Sequence, residues 1–97
     1  MSRRSTSRYL ICYDIRDDKR RNEIAKILED FGVRVQFSVF ECDLKEPAFL
    51  KVRRRLVNMM DQELDSVRVY ALCRRCESAI EIFGTGTILS DEEVVIV

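Results

Sequence analysis

The 97 residues carry 17 Lys and Arg against 17 Asp and Glu, with four Cys, one Pro and neither His nor Trp. That length suits a single domain, and no apolar run approaches the ~20 residues of a membrane-spanning helix. Without histidine, a Ser-His-Asp triad, a His acid/base pair and His-ligated zinc are excluded, so any catalysis falls to carboxylates, Cys, Lys, Arg, Tyr or Ser, with or without a hard metal ion.

Residues 1–8 read as a basic extension containing Arg3, Arg4 and Arg8. The apolar run that follows, Tyr9 to Tyr13, is cut by Asp14. A secretory signal needs ~7–15 apolar residues. The expected location is therefore the cytoplasm, without membrane association and with thiols reduced. Tyr9 to Ile15 (YLICYDI) predicts a central strand, apolar on both faces. Asp17 and Asp18 suit a helix N-cap, and Ile24, Ile27, Leu28 and Phe31 recur at helical spacing over Lys19 to Phe31. Gly32 is expected to stop that helix in a left-handed cap.

Val33 to Cys42 alternates, which predicts one strand with Val33, Val35, Phe37 and Val39 in the core. Arg34, Gln36, Ser38, Phe40 and Cys42 would then form a surface for a ligand or partner. Pro47 opens a second helix, Ala48 to Gln62, whose buried side is Phe49, Val52, Leu56, Met59 and Met60. Strands are expected at Ser66 to Leu72, at Ala79 to Phe83 and at Val94 to Val97, with residues 91–97 forming an acidic turn and terminal strand. This order reads as one α+β domain over residues 1–97, a ferredoxin-like βαββαβ unit with an extra C-terminal strand. In that arrangement both helices cover one sheet face. A second copy of the chain is the simplest cover for the other, which predicts a homodimer.

Net neutrality hides an asymmetry. Residues 1–55 hold 14 basic and 9 acidic side chains, whereas residues 56–97 hold 3 and 8. The basic excess gathers at Arg16, Lys19, Arg20 and Arg21 and again at Lys51, Arg53, Arg54 and Arg55. Such clusters suit nucleic acid, and solvated helix faces are the plainer alternative. Asp14 stands at the end of an apolar strand, where a carboxylate needs a partner or a cation. Turn capping or pairing with Arg16 or Arg34 would meet that need. So would a Mg²⁺ shared by the Asp14 carboxylates of two chains. Cys73 and Cys76 form a lone CxxC in a stretch that looks strand-forming, which reads as two incidental thiols, with a local disulfide or metal clip as the alternative.

The segment YLICYDIRDDKRRNEIAKIL, followed after a Gly by RVQFSVFECDL, resembles the small CRISPR-associated family that partners the integrase in spacer acquisition. The resemblance rests on the strand ending Tyr-Asp-Ile, the Asp-rich turn with an arginine in the first helix, and the Arg-x-Gln-aromatic-Ser-Val-Phe strand. It covers the first half of the chain strongly. It implies ferredoxin-like homodimers that act as Mg²⁺-dependent endonucleases, with Mn²⁺ as a substitute, on single-stranded RNA or DNA. It also implies bridging of integrase dimers around duplex DNA. Carried over by motif, Asp14 is the metal ligand and Tyr13 its preceding aromatic. Arg21 is an arginine tied to activity, and Arg34, Ser38 and Phe40 are the second-strand motif near the dimer centre. Glu23 departs from the pattern, because some relatives carry a basic residue there. A non-catalytic DNA-holding scaffold and a toxin-like messenger-RNA nuclease of the same fold are the alternative functions.

Overall fold

The computed structural model describes residues 6–84, 87–89 and 94–96. Arg3, Arg4 and the acidic Asp91 to Glu93 lie outside the described residues, as does Val97. The apolar run at the start forms β1 (Ser7–Asp14), and α1 (Asp18–Glu29) follows after a short loop. Asp17 caps α1 by accepting the Arg20 backbone N–H at 2.9 Å. Ile24, Ala25, Ile27 and Leu28 form the buried stripe of this helix. It ends at Asp30 without a left-handed residue, and Gly84 alone has positive φ among the described residues. The glycine at position 32 serves a different need from the one expected. It opens β2 (Gly32–Gln36), where a Cβ would collide with the Glu41 carbonyl oxygen and the Cys42 sulfur.

The strand expected over Val33 to Cys42 is a hairpin. β2 turns at Phe37 and Ser38 into β3 (Val39–Leu44). The two faces are also exchanged relative to expectation. Phe40, Cys42 and Leu44 enter the core, whereas Val33 and Val35 are exposed and Phe37 is 92% exposed. Two features account for the inversion. β2 is the edge strand and carries a register shift between Arg34 and Gln36. Arg34 lies opposite Phe40 and roofs its ring at 5.3 Å while ion-pairing with Glu29 of α1 at 3.7 Å. A charged side chain thereby closes the core at its margin.

α2 (Glu46–Met59) starts with Pro47 in its first turn and buries Val52 and Leu56, with Phe49, Met59 and Met60 packed half-buried beside them. β4 (Ser66–Leu72) completes a four-stranded antiparallel sheet of order β2-β3-β1-β4. β1 is central, as its continuous apolar character requires. The chain then departs from the expected strand at Ala79 to Phe83. It forms a short helix, α3 (Arg74–Ser78), and no strand over 79–83. The terminal segments β5 (Thr87–Leu89) and β6 (Val94–Ile96) pair antiparallel in a separate two-stranded sheet.

Tyr9, Ile11, Tyr13 and Ile15 point toward the helices and Leu10, Cys12 and Asp14 to the opposite side, because side chains alternate along a strand. The helical side holds the core of Ile11, Ile24, Leu28, Phe40 and Val52, all without solvent exposure. The other side is not bare at its Arg8 end, where Arg8 is buried and ion-pairs with Glu41 and with Glu77 of α3. By register and alternation it presents Val33, Val39, Leu10, Cys12 and Tyr70.

Candidate functional site

The last residue of β1, Asp14, pairs in register with Ser66 and projects on the side of the sheet opposite α1 and α2. It is exposed, contrary to the apolar enclosure its neighbours suggested. Neither Arg16 nor Arg34 pairs with it, and among the described residues no hydrogen-bond donor or cation engages its carboxylate. The nearby acids are otherwise committed. Asp17 caps α1, and Asp18 binds Arg21 at 2.6 Å. No three His, Cys, Asp or Glu side chains converge among the described residues. One chain therefore offers one open carboxylate, which fits a Mg²⁺ site that takes one or two carboxylates and fills its remaining positions with water and phosphate oxygens.

Several residues hold the backbone around that carboxylate. The Arg21 guanidinium donates to the Ile15 carbonyl from Nε at 3.2 Å and Nη2 at 2.9 Å, and its Nη2 reaches the Arg16 carbonyl at 3.4 Å. Its fork thus closes the β1–α1 loop. From the other side Asp65, buried just before β4, accepts the Arg16 backbone N–H at 2.9 Å. The same carboxylate accepts Arg20 Nε at 2.8 Å, Arg20 Nη2 at 3.2 Å and the Asp61 backbone N–H at 2.9 Å. The Arg20 side chain and these backbone donors hold its carboxyl far below the usual carboxylate range. The sequence pattern does not single out Asp65. Its only signal is an acid directly ahead of an apolar strand, which many loops share.

The predicted site residues divide accordingly. Tyr13 is buried, donates from its hydroxyl to the Phe37 carbonyl at 3.2 Å and stacks on Phe40 with centroids 6.2 Å apart. Its backbone N–H donates to the Ser38 carbonyl at 3.0 Å, which ties the β2–β3 turn to β1. Phe40 has no solvent exposure, so its ring is core and is closed to base stacking. Arg34 and Ser38 line an open groove along the hairpin with Val35 and Phe37. Of the basic residues, Arg20 and Arg21 spend their guanidinium groups within the chain, whereas Arg16 and Lys19 are exposed beside the loop. Lys51, Arg53, Arg54 and Arg55 are exposed on α2 and have no acidic partner among the described residues. Arg55 lies 5.8 Å over the Phe31 ring.

A family model described as CRISPR associated protein Cas2 matches residues 7–80. The CRISPR-associated endoribonuclease Cas2 1 of Chloroflexus aurantiacus is 52% identical over 79 residues, covering 80% of this chain and 85% of the relative. The crystal structure of Streptococcus pyogenes Cas2 superposes with a TM-score of 0.71 at 34% identity, over 79% of this chain and 99% of that one. A chain from a partial Cas6-RT-Cas1–Cas2 complex gives 0.69 at 30% identity, over 78% and 83%. The matched region contains Asp14, the loop that carries it, both long helices and all four strands of the main sheet. No helix of the described residues is long and apolar enough to cross a membrane. By sequence and by fold, the chain belongs to the CRISPR associated protein Cas2 family.

Proposed function

We propose that this protein is a metal-dependent endonuclease of CRISPR adaptation that works as a ferredoxin-like homodimer. The element order βαββαβ with sheet order β2-β3-β1-β4 supports the fold name. The endoribonuclease name carried by the Chloroflexus relative supports the activity, and the Cas1–Cas2 assembly supports an integrase partner. The observation that carries the site is Asp14 itself. Its carboxylate is unpaired among the described residues, on the sheet side where Val33 and Tyr70 are exposed and Leu10 and Cys12 half-buried. A second copy on that side buries the apolar surface and brings two Asp14 carboxylates to one place.

Those two carboxylates would hold Mg²⁺, or Mn²⁺ in its place, and the bound ion would supply polarisation of a phosphodiester and acidification of water. The chain's own part is positional. Arg21 and Asp65 fix the loop so that Asp14 keeps its place without a bond of its own. Tyr13 is not available as a base, because its hydroxyl is buried on the Phe37 carbonyl. Arg16 and Lys19 stand beside the loop, where phosphates would lie. The test is cleavage of single-stranded RNA and duplex DNA with Mg²⁺. Asp14→Asn is expected to lower the rate by roughly 100-fold or more, which corresponds to about 2.7 kcal/mol of barrier. The circular dichroism spectrum should not change. Cleavage that persists in Asp14→Asn removes Asp14 from the site.

A second role is supported by α2. Its exposed Lys51, Arg53, Arg54 and Arg55 suit the phosphates of duplex DNA. We propose that this face holds DNA during spacer acquisition while the dimer bridges integrase subunits, a role that requires no cleavage. Asp14→Asn leaves this binding intact, which separates the two roles.

A further inference from the structure

We propose that Cys73 and Cys76 form a reversible intramolecular disulfide by exchange with a low-molecular-weight disulfide such as oxidised glutathione. The two thiols are exposed, and their sulfurs lie 3.4 Å apart in hydrogen-bond contact. The spacing follows from the backbone. Cys73 precedes α3 and its sulfur accepts the Cys76 backbone N–H at 3.4 Å, so the turn draws the two side chains to one side. The Glu77 backbone N–H donates to the Cys73 carbonyl at 2.9 Å and closes the same turn. The turn is anchored at both ends. Leu72 pairs with Arg8 in the sheet, and Glu77 ion-pairs with the Arg8 guanidinium at 3.6 Å. Ring closure therefore costs little further chain entropy, since the conformation that brings the sulfurs together already exists in the reduced protein.

The two thiols are also chemically distinct. The Cys76 backbone N–H, and after it the Cys76 thiol, favour the Cys73 thiolate, whereas the neighbouring Cys73 sulfur pushes Cys76 up. Cys73 is thus the attacking sulfur. Its thiolate attacks one sulfur of the external disulfide, forms a mixed disulfide and expels one thiolate, which takes up a proton. Cys76 gives its proton to solvent and attacks the Cys73 sulfur. The Cys73–Cys76 bond forms, and the second external thiolate leaves. The protein loses two electrons, and the external disulfide is reduced to two thiols. The remaining cysteines are placed differently. Cys42 is buried, with its thiol pushed up to about 11 mainly by desolvation, and Cys12 is half-buried within β1.

The full-length protein, equilibrated with mixtures of reduced and oxidised glutathione, quenched in acid and alkylated, tests the proposal by peptide mass. The expected result is loss of two alkylatable thiols, with the Cys73–Cys76 peptide lighter by two hydrogens and Cys42 still alkylated. Cys76→Ser is expected to stop at a glutathione adduct on Cys73. Cys73→Ser keeps a residue suited to capping the turn and should lose the internal bond. A glutathione adduct that persists on Cys73 in the unsubstituted protein would overturn the proposal. So would oxidation that falls equally on Cys12 and Cys42.

Discussion

Asp14 and Phe40 exchange environments relative to what their neighbours in sequence suggest. The acid flanked by Tyr13 and Ile15 is exposed, and the aromatic on the nominally polar side of its strand is fully buried. Alternation alone cannot assign the two sides of a segment when both carry apolar residues. Val33, Val35, Phe37 and Val39 form the more uniform set, yet the structure buries Phe40, Cys42 and Leu44. Phe40→Ala should therefore act through stability. Deleting a buried ring costs about 3–5 kcal/mol, so denaturant unfolding should show a decrease in that range, with Phe40→Leu recovering most of it. Unchanged stability with reduced nucleic-acid affinity would instead make Phe40 a contact residue. The candidate metal ligand is legible in the sequence because the motif around Asp14 is local. The way Tyr13, Arg21 and Asp65 hold the loop is not, because it runs through backbone carbonyls and amides that no side-chain pattern encodes, with the Arg20–Asp65 pair joining residues 45 positions apart.

Among the elements, β1, α1, α2 and β4 follow the expected segments closely, since each has a strong apolar period or a clear cap. The β2–β3 turn reads as continuous strand because Phe37 and Ser38 lack the Gly, Asn or Pro that usually marks a hairpin. α3 is hidden for a similar reason. It holds five residues, too few to show a period, and the Ile80 and Ile82 that follow look strand-forming. The element-scale fastening is Asp65, which joins the segment ahead of β4 to the β1–α1 loop and to Arg20 of α1. Its pKa is lowered in the folded chain, below the ~3.9 of an unfolded aspartate. Its contribution to stability is accordingly complete above about pH 4 and declines as pH falls below that value. Thermal unfolding at a series of pH values should show Asp65→Asn less stable than the unsubstituted protein at pH 7, with the difference shrinking toward pH 2. A constant difference across that range would deny the ionised carboxylate this role.

For the whole molecule, the proposed dimer and the basic α2 face make separate demands. Duplex binding should weaken with salt. Arg53, Arg54 and Arg55 changed together to Ala should make the logarithmic salt slope shallower by roughly 0.9 for each phosphate that the variant no longer neutralises. An unchanged slope would place DNA elsewhere. The two sides of the sheet differ in what they still need. The helical side holds the core of the chain, whereas the opposite side exposes Val33 and Tyr70 together with Asp14, an acid unpaired among the described residues. That coincidence underlies the central claim that two chains complete one metal site. Titration of Mn²⁺ into the protein, read by the electron paramagnetic resonance signal of the free ion, tests it directly. The predicted result is one tightly held ion per two chains, abolished in Asp14→Asn. One ion per chain, or binding that Asp14→Asn leaves untouched, would contradict it.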